Sequence, residues 1–205
     1  MEDKERTELE KWAKYGKLMS GFIHNLNTPL MGLSGRIELM EIKYPDIKEL
    51  GSLIKHIDSL SGMLKACAYF IDKDTNDKTY DTNIEEFINR FDLFMKSHMQ
   101  YKHNLFVEKE LQEVIKPVNS QRYFNALYQI VIFVLSYASV EDTLTYKNDS
   151  EKIYLTFNRG DDKTYSIDSK VLEDIKNVVK SSSKEIDMSF DITVAPERIE
   201  VVLNI

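Results

Sequence analysis

The sequence predicts an α+β protein in which a long antiparallel helical hairpin, forming a dimeric four-helix bundle, is followed by a small α/β sandwich. Three observations lead to this class. Apolar residues recur at steps of three and four through residues 5–71, which is the period of amphipathic helices. Residues 72–82 are polar and rich in turn formers. The remainder combines helical periodicity with alternation typical of strands. We therefore predict a helical domain, 1–74, and an α/β domain, 82–205.

The hairpin prediction comes from two apolar stripes separated by a proline. The first predicted helix covers about residues 5–43, and the second covers 47–71. Tyr44-Pro45-Asp46 separates them, because proline lacks a backbone donor and biases the residue before it away from helix. One hairpin buries only part of two such stripes, whereas two copies close a four-helix bundle. The simplest alternative is a dimerisation stalk without chemistry.

The α/β domain is predicted from shorter patterns. We expect helices over 84–95, 120–138 and 171–179, and an extended segment over 104–111. Alternation in 152–157 and in 163–167, on either side of a polar turn, predicts a β-hairpin. Segments 189–194 and 199–205 are predicted as two terminal strands. These elements together predict a sheet covered by helices on one face.

Composition excludes several classes of function. A net charge of −7 and a pI near 5.2 disfavour a nucleic-acid binder, which needs a basic face. No apolar run approaches the ~20 residues that span a bilayer, and the charged N-terminus has no signal-peptide core. We expect a cytoplasmic protein without membrane contact. The single cysteine, Cys67, lies on an apolar stripe and is predicted to pack as a small hydrophobic residue.

The most specific motif surrounds His24, where residues 20–30 read SGFIHNLNTPL. This segment resembles the H-box of two-component sensor histidine kinases, a histidine followed by an acidic residue and then by Asn or Thr, Pro and Leu. The hairpin resembles the dimerisation and histidine-phosphotransfer domain of that family. The second half is similar in element order to the family's ATP-binding domain. The resemblance covers nearly the whole chain, although the specific motif spans about ten residues.

The residues around His24 suit a phosphoacceptor. Ile23, Leu26 and Leu30 occupy the inward positions, which leaves His24 facing solvent. An exposed neutral imidazole is a nucleophile. Pro29 cannot donate to the carbonyl of Asn25, so a kink is predicted just past the histidine. The alternative is a surface histidine without a function.

Two positions of the motif bear on mechanism. Asn25 stands where the resemblance implies an acidic residue that acts as base during attack on ATP, and an amide cannot accept that proton. Autokinase activity is therefore not expected. Thr28 stands where the family uses Asn or Thr to position water for dephosphorylating a partner's aspartyl phosphate, and that group is retained.

The expected nucleotide site departs further from the family. The family's asparagine-rich helix matches residues 127–138, where Phe133 and Tyr137 replace the asparagines. An aromatic ring offers no oxygen ligand to Mg²⁺. The family uses glycine-rich loops that let the backbone approach the nucleotide, but only Gly160, of seven glycines, lies in the second half. Asp168 is the one residue that resembles the aspartate with which the family binds adenine. We expect neither ATP binding nor any cofactor of the chain's own, and any Mg²⁺ is expected on the partner.

Three functions follow from the resemblance. The first is a phosphorelay histidine phosphotransferase that takes a phosphoryl group from a receiver-domain aspartate onto His24 and passes it to another receiver. The second is a response-regulator phosphatase that uses Thr28. The third is a dimeric scaffold or inhibitor without enzymatic activity that binds receivers or kinases. All three make response-regulator receiver domains and a second copy of the chain the expected partners.

Overall fold

The computed structural model describes residues 2–72, 79–160, 164–182 and 189–205. They belong to two compact units, Met1–Asp74 and Thr75–Ile205. The first unit is a helical hairpin and the second combines helices with a sheet. The predicted α+β class is confirmed. None of the described helices combines the length and apolarity needed to cross a bilayer.

The hairpin consists of α1 (Glu2–Lys43) and α2 (Lys48–Asp72). The first helix ends directly before Tyr44-Pro45, as predicted, and the Tyr44 N–H donates to the Met40 carbonyl at 2.8 Å. Near this turn the two helices share a small apolar core formed by Ile37, Leu50, Ile57 and Ile54. Burying each such side chain contributes about 1.5–3 kcal/mol. Packing between the helices, rather than helix propensity alone, therefore stabilises the hairpin.

The second unit contains seven strands and four helices among its described residues. In chain order they are β1 (Tyr80–Asn83), α3 (Ile84–Met95), α4 (Met99–Asn104), β2 (Leu105–Glu110), β3 (Ile115–Val118), α5 (Ser120–Leu135), β4 (Asp142–Asn148), β5 (Lys152–Asn158), α6 (Ser169–Ser182), β6 (Phe190–Ala195) and β7 (Arg198–Asn204). Strands β1 and β3 form a small antiparallel pair. The other five form one sheet in the order β2-β4-β5-β7-β6. Strand β2 runs parallel to β4, and the remaining neighbours are antiparallel.

One face of this sheet is buried. Alternate residues of the three central strands are fully buried, namely Leu144, Tyr146, Ile153, Leu155, Phe157, Ile199, Val201 and Leu203. The buried faces of α3 and α5 supply much of the rest of the core, and α6 packs against α5. Residues of the opposite sheet face, such as Thr145 and Thr156, are half-exposed. The unit is thus a two-layer sandwich, as predicted.

Asparagine side chains determine where two of the covering helices begin. Asn83 accepts a hydrogen bond from the Glu86 N–H at 3.1 Å at the start of α3. Asn119 does the same for the Arg122 N–H at 3.1 Å at the start of α5. Each satisfies a backbone donor that has no partner within the helix.

A buried carboxylate joins α3 to the sheet. Asp92, 1% exposed, accepts a hydrogen bond from the Tyr101 hydroxyl at 2.9 Å and pairs with Lys109 at 2.6 Å and Lys96 at 3.1 Å. Burial raises the pKa of Asp92, but the hydrogen bonds and charges of the two lysines outweigh burial and hold this pKa below its usual value.

Two predictions of local structure are wrong. Segment 163–167 is not a strand, since residues 164–168 are irregular and residues 161–163 lie outside the described part. The neighbours of β5 are β4 and β7, which leaves that segment no free edge. The helix predicted over 120–138 ends at Leu135, where the Ser136 hydroxyl donates to the Phe133 carbonyl at 2.6 Å and competes with the helical pattern.

Candidate functional site

His24 is exposed on the outer side of α1. Its neighbour Ile23 is buried, and Leu26 and Leu30 are half-buried. At 3.6 residues per turn, His24 lies about 130° around the helix from the row formed by Ile23, Leu26, Leu30 and Ile37. The imidazole is therefore open to a partner, in the orientation that the sequence predicts.

The other motif residues are distributed around the same turn. Thr28 is exposed and follows His24 by four residues, so both lie on one face. Asn25 is exposed about 100° away from His24. Pro29 lies inside α1, which continues as a helix to Lys43. The structure thus brings Thr28, but not Asn25, onto the face of the histidine, and the kink at Pro29 stays a prediction.

Three glycines of α1 near His24 have no side chain to cover the helix backbone. A methyl group added at Gly21, Gly32 or Gly35 would meet no atom within 4 Å. Glycine inside a helix costs about 0.5–1 kcal/mol relative to alanine. Within the described part of the chain these glycines lower helix stability without a packing reason, and they let another surface approach the α1 backbone.

The end of α5 carries the residues that replace the expected asparagines. Phe133 lies in the last turn, and Tyr137 lies two residues past the helix end. Their rings make an edge contact with centroids 5.4 Å apart. The Tyr137 carbonyl accepts a hydrogen bond from Arg159 Nη1 at 2.7 Å. Aromatic and cationic groups of the chain itself therefore occupy this region.

Asp142 is the centre of a buried polar cluster that sequence reasoning missed. Its side chain is fully buried and accepts hydrogen bonds from Arg159 Nη1 at 2.9 Å, Gly160 N at 3.0 Å, Ser139 N at 3.0 Å and the Tyr165 hydroxyl at 3.2 Å. The Arg159 guanidinium also lies over the Tyr165 ring, 4.4 Å from its centroid. Burial and then the nearby Asp142 charge raise the pKa of Tyr165 above its usual value. The cluster joins the α5–β4 connection to the segment that follows β5.

Backbone geometry explains the single glycine of this unit. Glu141 has a positive φ of 83°, which is unusual for a residue with a side chain. A Cβ at Gly160 would lie 2.0 Å from the Glu141 carbonyl oxygen. Gly160 is therefore required for close backbone approach. A lone glycine two residues past the end of β5 was the sequence signal for this contact.

Asp168 serves as a helix cap. It is exposed, and its carboxylate accepts a hydrogen bond from the Lys170 N–H at 2.7 Å at the start of α6. This side chain stabilises the helix start, a role that needs no adenine. Among the described residues no group of three or more His, Cys, Asp or Glu side chains is arranged to hold a metal ion.

Comparison with solved structures identifies the fold. The structure superposes on the histidine kinase domain of the blue-light activated histidine kinase of Erythrobacter litoralis with a TM-score of 0.54, 12% identity, and coverage of 94% of each chain. Weaker similarity is found to the Acinetobacter baumannii histidine kinase AdeS, with a TM-score of 0.49, 11% identity, and coverage of 89% of this chain and 96% of that one.

A structure described as a bacterial phosphotransferase gives a TM-score of 0.43, 11% identity, and coverage of 93% of this chain and 96% of that one. No protein-family profile and no curated protein matches the sequence. The superposition with a TM-score above 0.5 identifies the fold as histidine-kinase-like, a helical hairpin followed by an ATPase-like sandwich.

Proposed function

We propose that this chain is a histidine phosphotransferase of a two-component phosphorelay. The observation that carries the proposal is the exposed His24 of an H-box-like segment on the hairpin of a histidine-kinase-like fold. The nucleophile of that fold is present, whereas the residues expected to serve ATP are replaced. The donor and the acceptor of the phosphoryl group would both be receiver domains.

The transfer needs little from the chain beyond an accessible nucleophile. A nitrogen lone pair of neutral His24 attacks the phosphorus of an aspartyl phosphate. An N–P bond forms, the O–P bond breaks, and its electron pair returns to the aspartate carboxylate. The N–H of the other ring nitrogen loses its proton to water. A second receiver aspartate reverses these steps, and each receiver brings its own Mg²⁺.

ATP is not the proposed phosphoryl donor. Near the end of α5, Phe133 and Tyr137 offer rings in place of Mg²⁺ ligands, and Arg159 is held by the Tyr137 carbonyl and Asp142. Asn25 has no carboxylate to accept a proton from His24. These replacements favour a phosphoryl donor other than ATP, so no step is assigned to a nucleotide.

We propose that two copies form a four-helix bundle. Exposed apolar residues of α1, namely Leu18, Phe22, Leu33 and Met40, form a strip about 75° from the buried row, on the side away from His24. On α2, Leu53 and Leu60 are exposed at a similar angle from the buried row of that helix, and they are rotated from it in the same sense as the strip on α1. Because the helices are antiparallel, both strips lie on one side of the hairpin. A second hairpin would cover them and leave His24 outside.

A phosphatase is the second candidate, favoured by one observation. Thr28 is exposed one turn beyond His24 on the same face. There its hydroxyl can orient a water molecule toward a phosphoryl group held by a docked receiver. In the phosphatase case, inorganic phosphate is released and no phosphorylated form of the chain accumulates.

The test uses receiver domains of the source organism, each phosphorylated with radiolabelled acetyl phosphate. Wild type and a His56→Gln variant, which changes an exposed histidine of α2, should acquire acid-labile label. A His24→Gln variant should acquire none. Label acquired directly from radiolabelled ATP would contradict the proposal.

The same assay separates the alternatives. Loss of receiver phosphate without label on the chain, abolished by Thr28→Ala, would identify the phosphatase. Receiver binding that is unaffected by His24→Gln, without transfer or phosphate loss, would identify the scaffold. Light scattering tests the dimer, and a monomer at micromolar concentration would contradict the bundle.

A further inference from the structure

The two edge strands of the five-stranded sheet differ in charge. Strand β2 forms one edge and β6 forms the other. The β2 edge carries the consecutive charged residues Glu108, Lys109 and Glu110, and charged side chains keep an edge from pairing with another chain. Strand β6 carries one charged residue, Asp191. Protection of the β6 edge by charge therefore depends on this single side chain.

The register of the β6–β7 hairpin shows which backbone groups of β6 face outward. The Asn204 N–H donates to the Ser189 carbonyl at 3.0 Å, and the same antiparallel register continues to the end of β6. Because hydrogen-bonded pairs alternate along an antiparallel ladder, the odd-numbered residues of β6 bond to β7. The N–H and C=O groups of Phe190, Ile192 and Val194 consequently point away from the sheet.

One of these outward donors is bound by a side chain of β6 itself. The Asp191 carboxylate accepts a hydrogen bond from the Ile192 N–H at 2.9 Å. Within the described ranges, no other strand pairs with the outer side of β6. The carboxylate thus occupies the donor at the centre of an otherwise available edge.

The side chains of β6 are arranged symmetrically about Ile192. Apolar Phe190, Ile192 and Val194 alternate with Asp191 and Thr193. A second copy running antiparallel would place Ile192 opposite its own counterpart and Phe190 opposite Val194. This pairing would match outward backbone groups with outward backbone groups and align the apolar rows of both copies. The edge is therefore complementary to itself, as a two-fold interface requires.

Asp191 opposes this pairing in two ways. Its carboxylate holds the Ile192 N–H, which the central pair of the new ladder would need. The same register places Asp191 opposite Thr193 of the second copy, so the two Asp191 side chains lie on a diagonal about 7–8 Å apart. Like charges at this separation repel each other.

We propose that the outer edge of β6 is a strand-pairing surface for a second copy of this chain, and that Asp191 keeps this surface closed. The surface belongs to the second unit and involves neither His24 nor the hairpin. Where two copies are already joined through their hairpins, pairing along β6 would link one dimer to the next.

Three variants test the role of Asp191. Asp191→Val frees the Ile192 N–H, removes the charge and introduces a side chain that favours strands. Thr193→Val is the matched control, because it adds valine at another exposed position of β6 and leaves the carboxylate in place. The double variant Asp191→Val/Val194→Pro also lacks an outward N–H, which the β6–β7 ladder does not use.

Light scattering over a range of micromolar concentrations measures the association. Asp191→Val should reach about twice the wild-type mass or more as its concentration rises, and should return to the wild-type mass on dilution. Thr193→Val and the double variant should keep the wild-type mass. Each comparison is made with wild type, so the result does not depend on the proposed phosphotransfer or on the proposed bundle.

Hydrogen exchange locates the contact. The Val194 amide should exchange about tenfold more slowly in concentrated than in dilute Asp191→Val, because the new ladder protects it. In wild type its exchange should not depend on concentration. The Val201 amide, which faces β5 in the sheet, should stay protected in every variant.

Four results would overturn the inference. The first is an Asp191→Val variant that keeps the wild-type mass at every concentration. The second is equal association of Thr193→Val, which would attribute association to added apolar surface. The third is association that persists in the double variant, which would place the contact elsewhere. The fourth is association accompanied by loss of Val201 protection, which would indicate unfolding instead of strand pairing.

Discussion

The Asp142–Arg159 pair offers the sharpest test of how the second unit is held together. The two side chains are 0% and 9% exposed and their charged atoms lie 2.9 Å apart. Arg159→Met removes the guanidinium but keeps much of the side-chain volume. It leaves the Asp142 carboxylate buried with hydrogen bonds from Tyr165 and two backbone N–H groups, but without its cation.

The expected magnitude follows from this burial. Removing one partner of a buried ion pair costs about 3–5 kcal/mol, because the remaining charge is uncompensated. For a unit of about 130 residues the entropy of unfolding is near 0.28 kcal/mol per kelvin, so the Tm of the unit should fall by about 11–18 °C. Asp142→Asn should give a similar loss, since it leaves the guanidinium buried instead.

Hydrogen exchange measures this loss within the intact chain and contains its own control. Amides of β4 and β5 should lose protection in Arg159→Met, whereas those of α2 in the hairpin should not change. The two single variants and their combination form a cycle, in which the double variant should lose less than the sum of the single losses. A Tm decrease below about 3 °C with unchanged protection would refute a stabilising role for the pair.

Two further predictions concern glycine positions and pH. Gly160→Ala should destabilise the second unit, because its Cβ would overlap the Glu141 carbonyl. Gly32→Ala places its Cβ in open space and should stabilise the hairpin by about 0.8–1 kcal/mol. Thermal melts that rank the two variants the other way would contradict this prediction. Burial raises the pKa of Tyr123 to about 12, so only the unfolded chain ionises this tyrosine near pH 10 and the stability that it contributes is lost as the pH rises further. The lowered pKa of Asp92 gives the opposite pH dependence, because the stability that this carboxylate contributes is present above its ordinary pKa and is lost on acidification. Denaturant titrations at pH 3, 7 and 11 should therefore give the largest free energy of unfolding at pH 7.

Local patterns predicted the hairpin because its determinants are local. Helical periodicity, a proline in the turn and the phase of His24 relative to Ile23 depend only on residues near one another in sequence. The strands β2, β6 and β7 and the helix α3 were predicted for the same reason. The roles of His24, Asn25, Thr28 and Pro29 stay predictions, because they depend on partners.

The strand wrongly predicted over residues 163–167 has a cause that is not local. Segment 163–167 alternates as a strand does, and so does β4, with Leu144 and Tyr146 on one side and threonines on the other. Only one of them pairs with β5, because that strand has two edges and β7 takes the other. Competition for an edge cannot be read from alternation alone.

The sequence by itself determined a helical hairpin with an exposed histidine, joined to an α/β unit poor in glycine. The tertiary structure decided which segments pair in the sheet and that Asp142 gathers Arg159, Gly160 and Tyr165 into one buried cluster. The physical reason is the separation along the sequence of the residues that interact. Periodicity, capping and composition act within a few residues, whereas a buried ion pair and a strand edge join residues that only the folded chain brings together.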